Sequence, residues 1–449
     1  MPPTVPAGPS TPGDHRRFTS RRPRRHPARL DWRGTVPRAR RSTPVSVPLV
    51  PVLRAVTAGA LSAATVLTVA APAVAAPADA DRPLVIGHRG AAGTAPENTV
   101  SAFKDARAAG VDYLEIDVQL SADGVPFLFH DDTPARTTNV AEVFPGREND
   151  PVTSFTWAEL QQLDAGAYFG PRFAGERIPH LDDAAKVATV NTGVYIEIKS
   201  PRNSPGVEQV VADALAQDKD WSKLLEAGKV TVIGFDEASN RTFAGLAPEV
   251  PLQQLTGSVP DAATIERWAG FVDSVGTNYR TLDAEDVARV DAAGLDLGVY
   301  TVNSAEAVQH VLDLGVDMVT GDFPVQADRL LDGLDPYPGD HGVEIAGAVN
   351  DVPGDDVQYG TGEHVLLTNT GARTVDVSGW ILRDAANNVL SVGDGYELDP
   401  GEQLRVYTGP GPDTDGASYN GGSASVLNNG GDSVALWTDQ DRLQDVFAN

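Results

Sequence analysis

The run Tyr113–Leu120 alternates apolar with polar residues, and two of the polar residues are the carboxylates Glu115 and Asp117. Successive side chains of a β-strand point to opposite faces, so Glu115 and Asp117 share one face of the predicted strand. Two like charges on one face repel each other and are costly to bury. That face therefore meets water, as in an amphipathic strand of an antiparallel sheet, or it surrounds a cation. The neighbouring segments favour the second interpretation.

Reactive side chains also follow two nearby apolar runs. His88 and Arg89 come directly after Leu84–Ile86, and His130 comes directly after Phe127–Phe129. In parallel α/β barrels the reactive groups lie where the strands end, at the carboxyl-terminal mouth. These two runs are therefore predicted to place their polar residues at one common site.

A tight turn separates the carboxylate strand from the second of these runs. The tetrapeptide Ser121–Gly124 contains the Asp-Gly pair that is typical of hairpin turns. It predicts that Tyr113–Leu120 and Pro126–His130 pair as a hairpin. Such pairing brings His130 close to Asp117.

From residue 84 onward, short apolar runs alternate with helical patterns, which predicts an α/β fold with parallel strands. Helices are expected at Pro96–Gly110, Asp283–Ala293 and Ala305–Leu314. The strand candidates, besides Leu84–Ile86 and the two hairpin strands, are Val194–Ile198, Val230–Gly234, Leu252–Leu255, Ser274–Thr277, Leu297–Thr301 and Met318–Thr320. Nine candidates fit a TIM (β/α)₈ barrel with one irregular hairpin near its mouth better than an open sheet.

The pattern of predicted secondary structure changes after a Pro- and Gly-rich stretch near residue 333. Beyond it, four strand candidates are separated by Gly, Asn, Asp and Pro turns, with no helical pattern: Val365–Thr368, Val375–Leu382, Gln403–Tyr407 and Ser433–Trp437. Short strands at this spacing predict a small β-sandwich. The expected organisation is a basic, disordered extension (1–44), a signal peptide (45–76), the barrel (82–332), a linker (333–341) and the sandwich (342–449).

The prediction of a signal peptide comes from three consecutive features. Arg54 precedes a short apolar run, Ala55–Ala71, and the small-residue stretch Ala73–Ala76 follows it. This order is that of a secretory signal and its cleavage site. A membrane anchor is the alternative, but polar residues interrupt the run, so it is poorly suited to span a bilayer. We therefore expect a secreted or envelope-associated protein without a stable membrane span.

Composition narrows the choice of ligands and partners. The chain of 449 residues has no cysteine, which excludes disulfides and thiolate metal sites and favours oxygen ligands for a hard cation such as Ca²⁺ or Mg²⁺. The formal net charge is −27, although the first 75 residues hold 12 of the 35 basic residues and only two of the 62 acidic ones. The rest of the chain is therefore strongly acidic, which argues against nucleic acid as a partner.

A third predicted strand completes the chemistry. In Val194–Ile198 and its continuation, Glu197 and Lys199 alternate with Ile residues and therefore face the barrel lumen. Glu115, Asp117 and Glu197 would then supply three carboxylates to one divalent cation. Arg89 and Lys199 would offset the charge of a phosphate group. His88 and His130 could serve as general base and general acid, which together predicts phosphoryl chemistry on an anionic ester.

Six motifs resemble, in the same order, those of the glycerophosphodiester phosphodiesterase family. They are Gly87–Gly90, Pro96–Thr99, Glu115–Asp117, Asp123–Gly124, His130–Asp131 and Glu197–Lys199. The resemblance covers about residues 82–332 and implies a TIM barrel that converts glycerophosphodiesters to sn-glycerol 3-phosphate and an alcohol. Tyr300 stands where that family usually has Trp, so the aromatic wall is altered.

The family resemblance also implies a role for each site residue. The metal ligands would be Glu115, Asp117 and Glu197, and the acid–base pair His88 and His130. The substrate contacts would be Arg89, Lys199, Tyr300 and Glu97, with Glu97 beside the metal or the glycerol. We favour His130 as the base and His88 as the acid.

The C-terminal region resembles the lamin-tail domain, an immunoglobulin-like sandwich. The motifs that support this are Val365–Asn369, Ser378–Leu382, Leu398–Gly401 and Leu427–Val434. This domain would stabilise or space the protein, or it would contact the cell envelope or a substrate-bearing polymer. Trp380 is expected in its core.

Two other functions are compatible with the sequence. A phospholipase of the sphingomyelinase D kind would use the same barrel with apolar side chains around its mouth, and residues 132–180 form a long insertion that contains Phe144, Phe155, Tyr168 and Phe173. A non-catalytic envelope-binding protein would use the sandwich alone. The complete set of polar residues in the barrel argues against the second alternative.

Overall fold

The computed structural model describes residues 82–449, so the predicted extension and signal peptide lie outside the described residues. The first nine strands are β1 (Leu84–Gly87), β2 (Tyr113–Leu120), β3 (Pro126–Leu128), β4 (Gly193–Ile198), β5 (Val230–Gly234), β6 (Leu252–Thr256), β7 (Ser274–Asn278), β8 (Asp296–Tyr300) and β9 (Met318–Gly321). Strand β1 pairs in parallel with both β2 and β9, so eight strands close into a cylinder. Strand β3 joins β2 as an antiparallel hairpin. The predicted TIM barrel with one irregular hairpin is confirmed.

Eleven α-helices lie in the described part of the chain. They are α1 (Val100–Ala109), α2 (Val140–Val143), α3 (Trp157–Leu160), α4 (Leu181–Val187), α5 (Val207–Gln217), α6 (Lys219–Glu226), α7 (Glu237–Leu246), α8 (Ala262–Trp268), α9 (Ala284–Ala292), α10 (Ala305–Leu314) and α11 (Pro324–Leu331). The longest, α5, has 11 residues. Among these helices none has both the length and the apolar character needed to cross a bilayer.

Helix α1 begins later than its sequence pattern predicts. The pattern predicts a start at Pro96, but Thr99 is the N-cap, and its side chain accepts a hydrogen bond from the amide of Ala102. Asn98 has a φ of 53°, a left-handed conformation that a helix cannot include. The end is as predicted, because Gly110 has a φ of 86° and terminates the helix.

The two faces of the barrel strands differ as the alternation predicts. Ile196 and Ile198 of β4 pack in the large core between the strands and the helices. Tyr195 lies instead in a small cluster inside the cylinder, with Ile86 and Met318 among its members. Along β4, the inward-facing side chains therefore change from the apolar cluster at Tyr195 to charged residues at the carboxyl-terminal mouth of the barrel.

The long insertion after β3 folds around its own core. Phe155 and Leu160 are fully buried in this satellite cluster, and Phe144 packs against it. Part of its aromatic surface is thus turned inward, whereas Tyr168 and Phe169 line the cavity at the barrel mouth. The insertion still contributes polar side chains to the site, as described below.

The C-terminal region is an all-β sandwich, as predicted. Its strands are β10 (Val343–Val349), β11 (His364–Asn369), β12 (Val375–Asp376), β13 (Ile381–Asp384), β14 (Val389–Ser391), β15 (Glu397–Leu398), β16 (Gln403–Tyr407), β17 (Ala417–Tyr419), β18 (Ser433–Trp437) and β19 (Leu443–Ala448). One four-stranded sheet has the order β10-β11-β16-β17 and the other β14-β13-β18-β19. Trp380 is 3% exposed in the core between them.

One predicted strand of the sandwich is wrong. Val375–Leu382 is not continuous, because a turn separates β12 from β13. In this turn the amide of Trp380 donates to the carbonyl of Val377, and Gly379 has a φ of 72°. The two halves of the segment consequently join different sheets.

Candidate active site

Three carboxylates meet at the carboxyl-terminal end of two adjacent strands. Strands β2 and β4 pair in parallel with Asp117 opposite Glu197, and Glu115 lies two residues before Asp117 on the same face. One oxygen of each carboxylate lies within 4.8 Å of the others. All three residues are buried, with Asp117 only 1% exposed. The strand alternation and register alone are enough to bring them together.

The cluster has the character of a cation site. Asp117 Oδ1 is buried without a hydrogen-bond partner, and Lys199 Nζ lies 3.6 Å from it. Burial, reinforced by the neighbouring carboxylates, raises the pKa of Glu115 well above its usual range and the pKa of Glu197 to about 7. Three convergent carboxylates, whose negative charge the neighbouring Lys199 and Arg89 offset only in part, suit a hard divalent cation. The residues present thus fit the metal that the resemblance implies, and Ca²⁺ and Mg²⁺ are equally compatible.

Each candidate catalytic histidine has one ring nitrogen held by a carboxylate. His88 Nδ1 lies 2.6 Å from Asp322 Oδ1, and His130 Nδ1 lies 2.8 Å from Asp131 Oδ1. When Nδ1–H donates to the carboxylate, Nε2 is left to exchange a proton with another group. Both imidazoles therefore have the fixed orientation that a general acid or base needs.

Arg89 and Lys199 bring positive charge next to the carboxylate cluster. The backbone amide of Arg89 donates to Glu115 Oε2 at 2.7 Å, and Lys199 Nζ lies 3.0 Å from Glu197 Oε1. Burial by itself would lower the pKa of both cations, but the surrounding carboxylates raise it. Arg89 has a φ of 49°, a conformation that costs a non-glycine residue roughly 1 kcal/mol or more. This strained backbone lets its amide reach the carboxylate.

Glu97 belongs to a second polar cluster, in which the guanidinium of an arginine offsets the negative charge. Arg136, from the insertion, donates to both Glu97 oxygens at 2.7 Å and to Asp131 Oδ2 at 2.7 Å. Arg89 also donates to Glu97, at 2.9 Å. Although Glu97, His130 and Asp131 are close enough together to hold a metal ion, Arg136 already supplies their positive charge. The trio on β2 and β4 is therefore the better candidate metal site.

Tyr300 stands at the mouth of the barrel, where the resemblance predicts an aromatic wall. Its hydroxyl donates to the carbonyl of Thr256 at 2.7 Å, and its ring meets that of Phe235 edge to face at 5.9 Å. It lines the same cavity as His88. A planar side chain fixed at both ends is suited to border a substrate.

Three further residues position the site, and sequence spacing did not single them out. Asn98 Nδ2 donates to Asp117 Oδ2 at 2.8 Å, and Asn303 Nδ2 donates to Asp322 Oδ2 at 2.6 Å. Arg136 is the third. Except for Asp131, the hydrogen-bond partners of these three residues lie 19 or more residues away in the sequence. Only the folded chain therefore shows which residues pair. From sequence, Asp131 could orient His130 or simply start the loop, and Asp322 could contact substrate or form only a turn. The structure places each of them against a histidine, Asp131 at His130 and Asp322 at His88.

Three other histidines, two in the barrel and one in the sandwich, lie outside the site. The side chain of His180 caps α4 by accepting from the amide of Asp182, as expected for a residue before a helical pattern. His310 is exposed on α10. His364, in β11 of the sandwich, lies 2.9 Å from the carbonyl of Gly362. None of these three belongs to a metal-binding group among the described residues.

Comparison with known proteins matches both parts of the chain to family models. The model of the glycerophosphoryl diester phosphodiesterase family matches residues 88–326, and the model of the lamin tail domain matches residues 338–448. The first match spans more than half of the chain and includes all nine site residues predicted above.

Individual relatives agree with the first match. A glycerophosphodiester phosphodiesterase of Bacillus subtilis is 31% identical over 257 residues, which cover 54% of this chain and 85% of that protein. Another, of Caldanaerobacter subterraneus, is 34% identical over 247 residues, covering 54% of this chain and 94% of that protein. Among solved structures, a phosphodiesterase of Oleispira antarctica in complex with sn-glycerol 3-phosphate is 28% identical with a TM-score of 0.49, covering 56% of this chain and 97% of that one.

The raised pKa values in the carboxylate cluster predict an unusual pH dependence of stability. A carboxyl group with a higher pKa in the folded than in the unfolded state stabilises the fold at low pH, and this contribution is lost as pH rises through the folded value, about 7 for Glu197. In the presence of a chelator, the free energy of unfolding should therefore fall by about 1 kcal/mol between pH 6 and pH 8. Urea denaturation at both pH values measures it. Glu197→Gln should remove most of the fall, and an equal fall in that variant would contradict the assignment.

Proposed function

The chain belongs to the glycerophosphoryl diester phosphodiesterase family and is a phosphoric diester hydrolase, and from this premise we propose that it is an exported, cation-dependent enzyme. It hydrolyses glycerophosphodiesters to sn-glycerol 3-phosphate and an alcohol. The observation that supports this most directly is the combination of two imidazoles, each oriented by a carboxylate, with a buried cluster of three further carboxylates.

The acid–base steps follow from the two histidine–carboxylate pairs. His130, held by Asp131, takes the proton of the attacking hydroxyl, either the glycerol 2-hydroxyl or a water. As the new P–O bond forms and the bond to the alcohol breaks, His88, held by Asp322, gives its proton to the departing alkoxide. If a water attacks, the product is sn-glycerol 3-phosphate directly. If the glycerol 2-hydroxyl attacks, the product is a cyclic phosphodiester, which a water then opens: His88 takes the proton of this water, and His130 returns its proton to the 2-oxygen as the cyclic P–O bond breaks. Each transfer contributes on the order of 10²–10⁴-fold to the rate.

The positive charges at the site would offset the negative charge of the substrate phosphate. Glu115, Asp117 and Glu197 would hold one divalent cation, Ca²⁺ or Mg²⁺. Such a cation polarises a phosphoryl oxygen and offsets its developing negative charge. Arg89 and Lys199, half-buried next to the carboxylates, add fixed positive charge where solvent screening is weak. Glu97 is held by Arg89 and Arg136, so it is placed to accept a hydrogen bond from a glycerol hydroxyl.

The phospholipase alternative gains no support from the insertion. It needs apolar side chains exposed around the mouth, whereas Phe155 is fully buried and Phe144 packs against the same satellite core. Phe169 does line the cavity at the mouth, but it is 8% exposed and the guanidinium of Arg383 lies over its ring. Tyr168 does reach the site, but its hydroxyl accepts a hydrogen bond from the amide of Glu97. A water-soluble diester is therefore the better substrate for this mouth.

Removal of either imidazole should abolish turnover. His88→Ala and His130→Ala should each lower kcat for glycerophosphocholine by at least roughly 10²-fold, because proton transfer is lost. Cation binding, measured by titration calorimetry, should survive in both, since neither histidine is a proposed ligand. Release of sn-glycerol 3-phosphate measures the activity, and His310→Ala is the matched control on an exposed helix face. Normal activity of either variant would defeat the assignment.

Chelation should abolish activity, and Ca²⁺ or Mg²⁺ should restore it. Asp117→Asn should weaken cation binding by roughly 100-fold or more, because it removes the charge of the most buried ligand. The exposed Asp213→Asn is the control, with unchanged affinity. Full turnover of glycerophosphocholine in excess chelator would show that the carboxylate cluster is not a functional metal site.

Export is proposed from residues 45–76 of the sequence. Expression of the full chain in a secreting bacterial host should yield extracellular protein that begins near residue 77, as measured by mass spectrometry of its N-terminal peptide. Leu61→Arg should keep the protein in the cell, because a charge interrupts the apolar run that the export machinery recognises. Recovery of uncleaved wild-type chain inside the cell alone would refute export.

A further inference from the structure

The sandwich packs directly on the mouth of the barrel. Phe323, just after β9, and Tyr337 are buried in one cluster with Ala435 and Val446 of the sandwich. The ring of Phe323 also fills the space beside the loop that follows His88, since a methyl group on Gly93 would lie 2.4 Å from it. The sandwich thus rests on the same strand ends and loops that form the active site.

Polar contacts connect the sandwich to a candidate catalytic residue. Asn303 Nδ2 donates both to Ser433 Oγ of the sandwich at 2.9 Å and to Asp322 Oδ2 at 2.6 Å. Asp322 in turn holds His88 Nδ1. Ser433 and Asn303 are each no more than 8% exposed, so this connection is largely buried.

Two arginines fasten the sandwich at the edges of the site. Arg383 of β13 donates to the carbonyl of Phe169 at 3.1 Å, and its guanidinium lies 4.3 Å from the centre of the Phe169 ring. Arg280, after β7, donates to the carbonyl of Asn449 at 2.9 Å and to that of Asp432 at 3.3 Å. The first contact ties the sandwich to the insertion, and the second ties it to the barrel.

A cavity of about 300 Å³ lies between these contacts. The barrel side includes His88, Arg89 and Tyr300, and the sandwich side includes Arg383, Ala385 and Asn387 among others. The three clustered carboxylates do not line it. The cavity therefore extends from His88, and from Glu97 on the glycerol side of the substrate, to the sandwich.

We propose that the sandwich forms the wall of the subsite for the alcohol portion of the substrate, and that it restricts this portion to small polar alcohols. The inference rests on the proposed function, in which His88 protonates the departing alkoxide. An alcohol that leaves beside His88 extends into this cavity, whose far wall the sandwich supplies. A volume of about 300 Å³ is at the lower end for ligand pockets, and its guanidinium and amide side chains offer hydrogen bonds to hydroxyl or amine groups.

The test compares two substrates with the same leaving oxygen. One is glycerophosphoethanolamine, and the other bears a naphthoyl amide on the ethanolamine nitrogen. Both release sn-glycerol 3-phosphate, so one assay gives kcat/KM for each. The readout is the ratio of the bulky to the small substrate, because it is insensitive to changes in the chemistry that both share.

Two variants of the sandwich should move this ratio in opposite directions. Arg383→Ala enlarges the cavity and should raise the ratio roughly tenfold, whereas Ala385→Trp fills the cavity and should lower it roughly tenfold. Ala385 is exposed, so the larger side chain is not forced into a core. The controls Arg373→Ala and Ala372→Trp, at exposed positions of a sandwich turn that do not line the cavity, should leave the ratio within about twofold.

The outcomes separate the inference from the function on which it rests. Turnover of glycerophosphoethanolamine with an unchanged ratio in both cavity variants would overturn the role of the sandwich and leave the proposed function intact. No turnover by the wild-type protein with its cation would count against the proposed function, and the inference would fall with it. If one of the two cavity variants shows no cooperative thermal unfolding, and so is not folded, the substrate ratio of the other variant decides whether the inference holds.

Discussion

The mutual repulsion of three buried carboxylates is the constraint on which the barrel mouth depends. Parallel pairing of β2 and β4 sets Asp117 opposite Glu197, with Glu115 on the same inward face. Uncompensated, such a cluster would be among the costliest features of the fold. The neighbouring residues reduce this cost: Lys199 lies beside two of the carboxylates, and Asn98 and the Arg89 amide each donate to one. The remaining deficit of positive charge is what makes the cluster suited to a cation.

The two histidines show how the same chemical arrangement arises in different ways. His130 is held by its sequence neighbour Asp131, which Arg136 fixes in turn, so this pair is local apart from the arginine. His88 is held by Asp322, 234 residues later. That contact exists only because β1 and β9 are adjacent in the closed barrel, with Gly87 opposite Gly321. Barrel closure is thus required for an oriented His88.

The sandwich is more than an appended module in this structure. It buries Phe323 at the barrel mouth, hydrogen-bonds to Asn303 through Ser433, and lines the cavity that leads away from His88. The sequence suggested either a stabilising or an envelope-binding domain, because its motifs are turns and core positions. Turn and core residues define how a sandwich folds, but they say nothing about what its loops contact.

The sequence by itself determined the barrel, because period-two alternation and parallel strand ends follow from local geometry. The bounds of β5 and β16 and the hairpin between β2 and β3 were therefore predictable, as was the convergence of Glu115, Asp117 and Glu197. Prediction from the sequence failed where a local contact overrides the hydrophobic pattern. Two examples are the Thr99 cap, which makes α1 begin later than predicted, and the turn that divides Val375–Leu382 into two strands. Only the tertiary structure decided the partners of Arg136, Asn303 and Asp322 and the position of the sandwich over the cavity. Such contacts join residues far apart in sequence, and no periodicity along the chain encodes them.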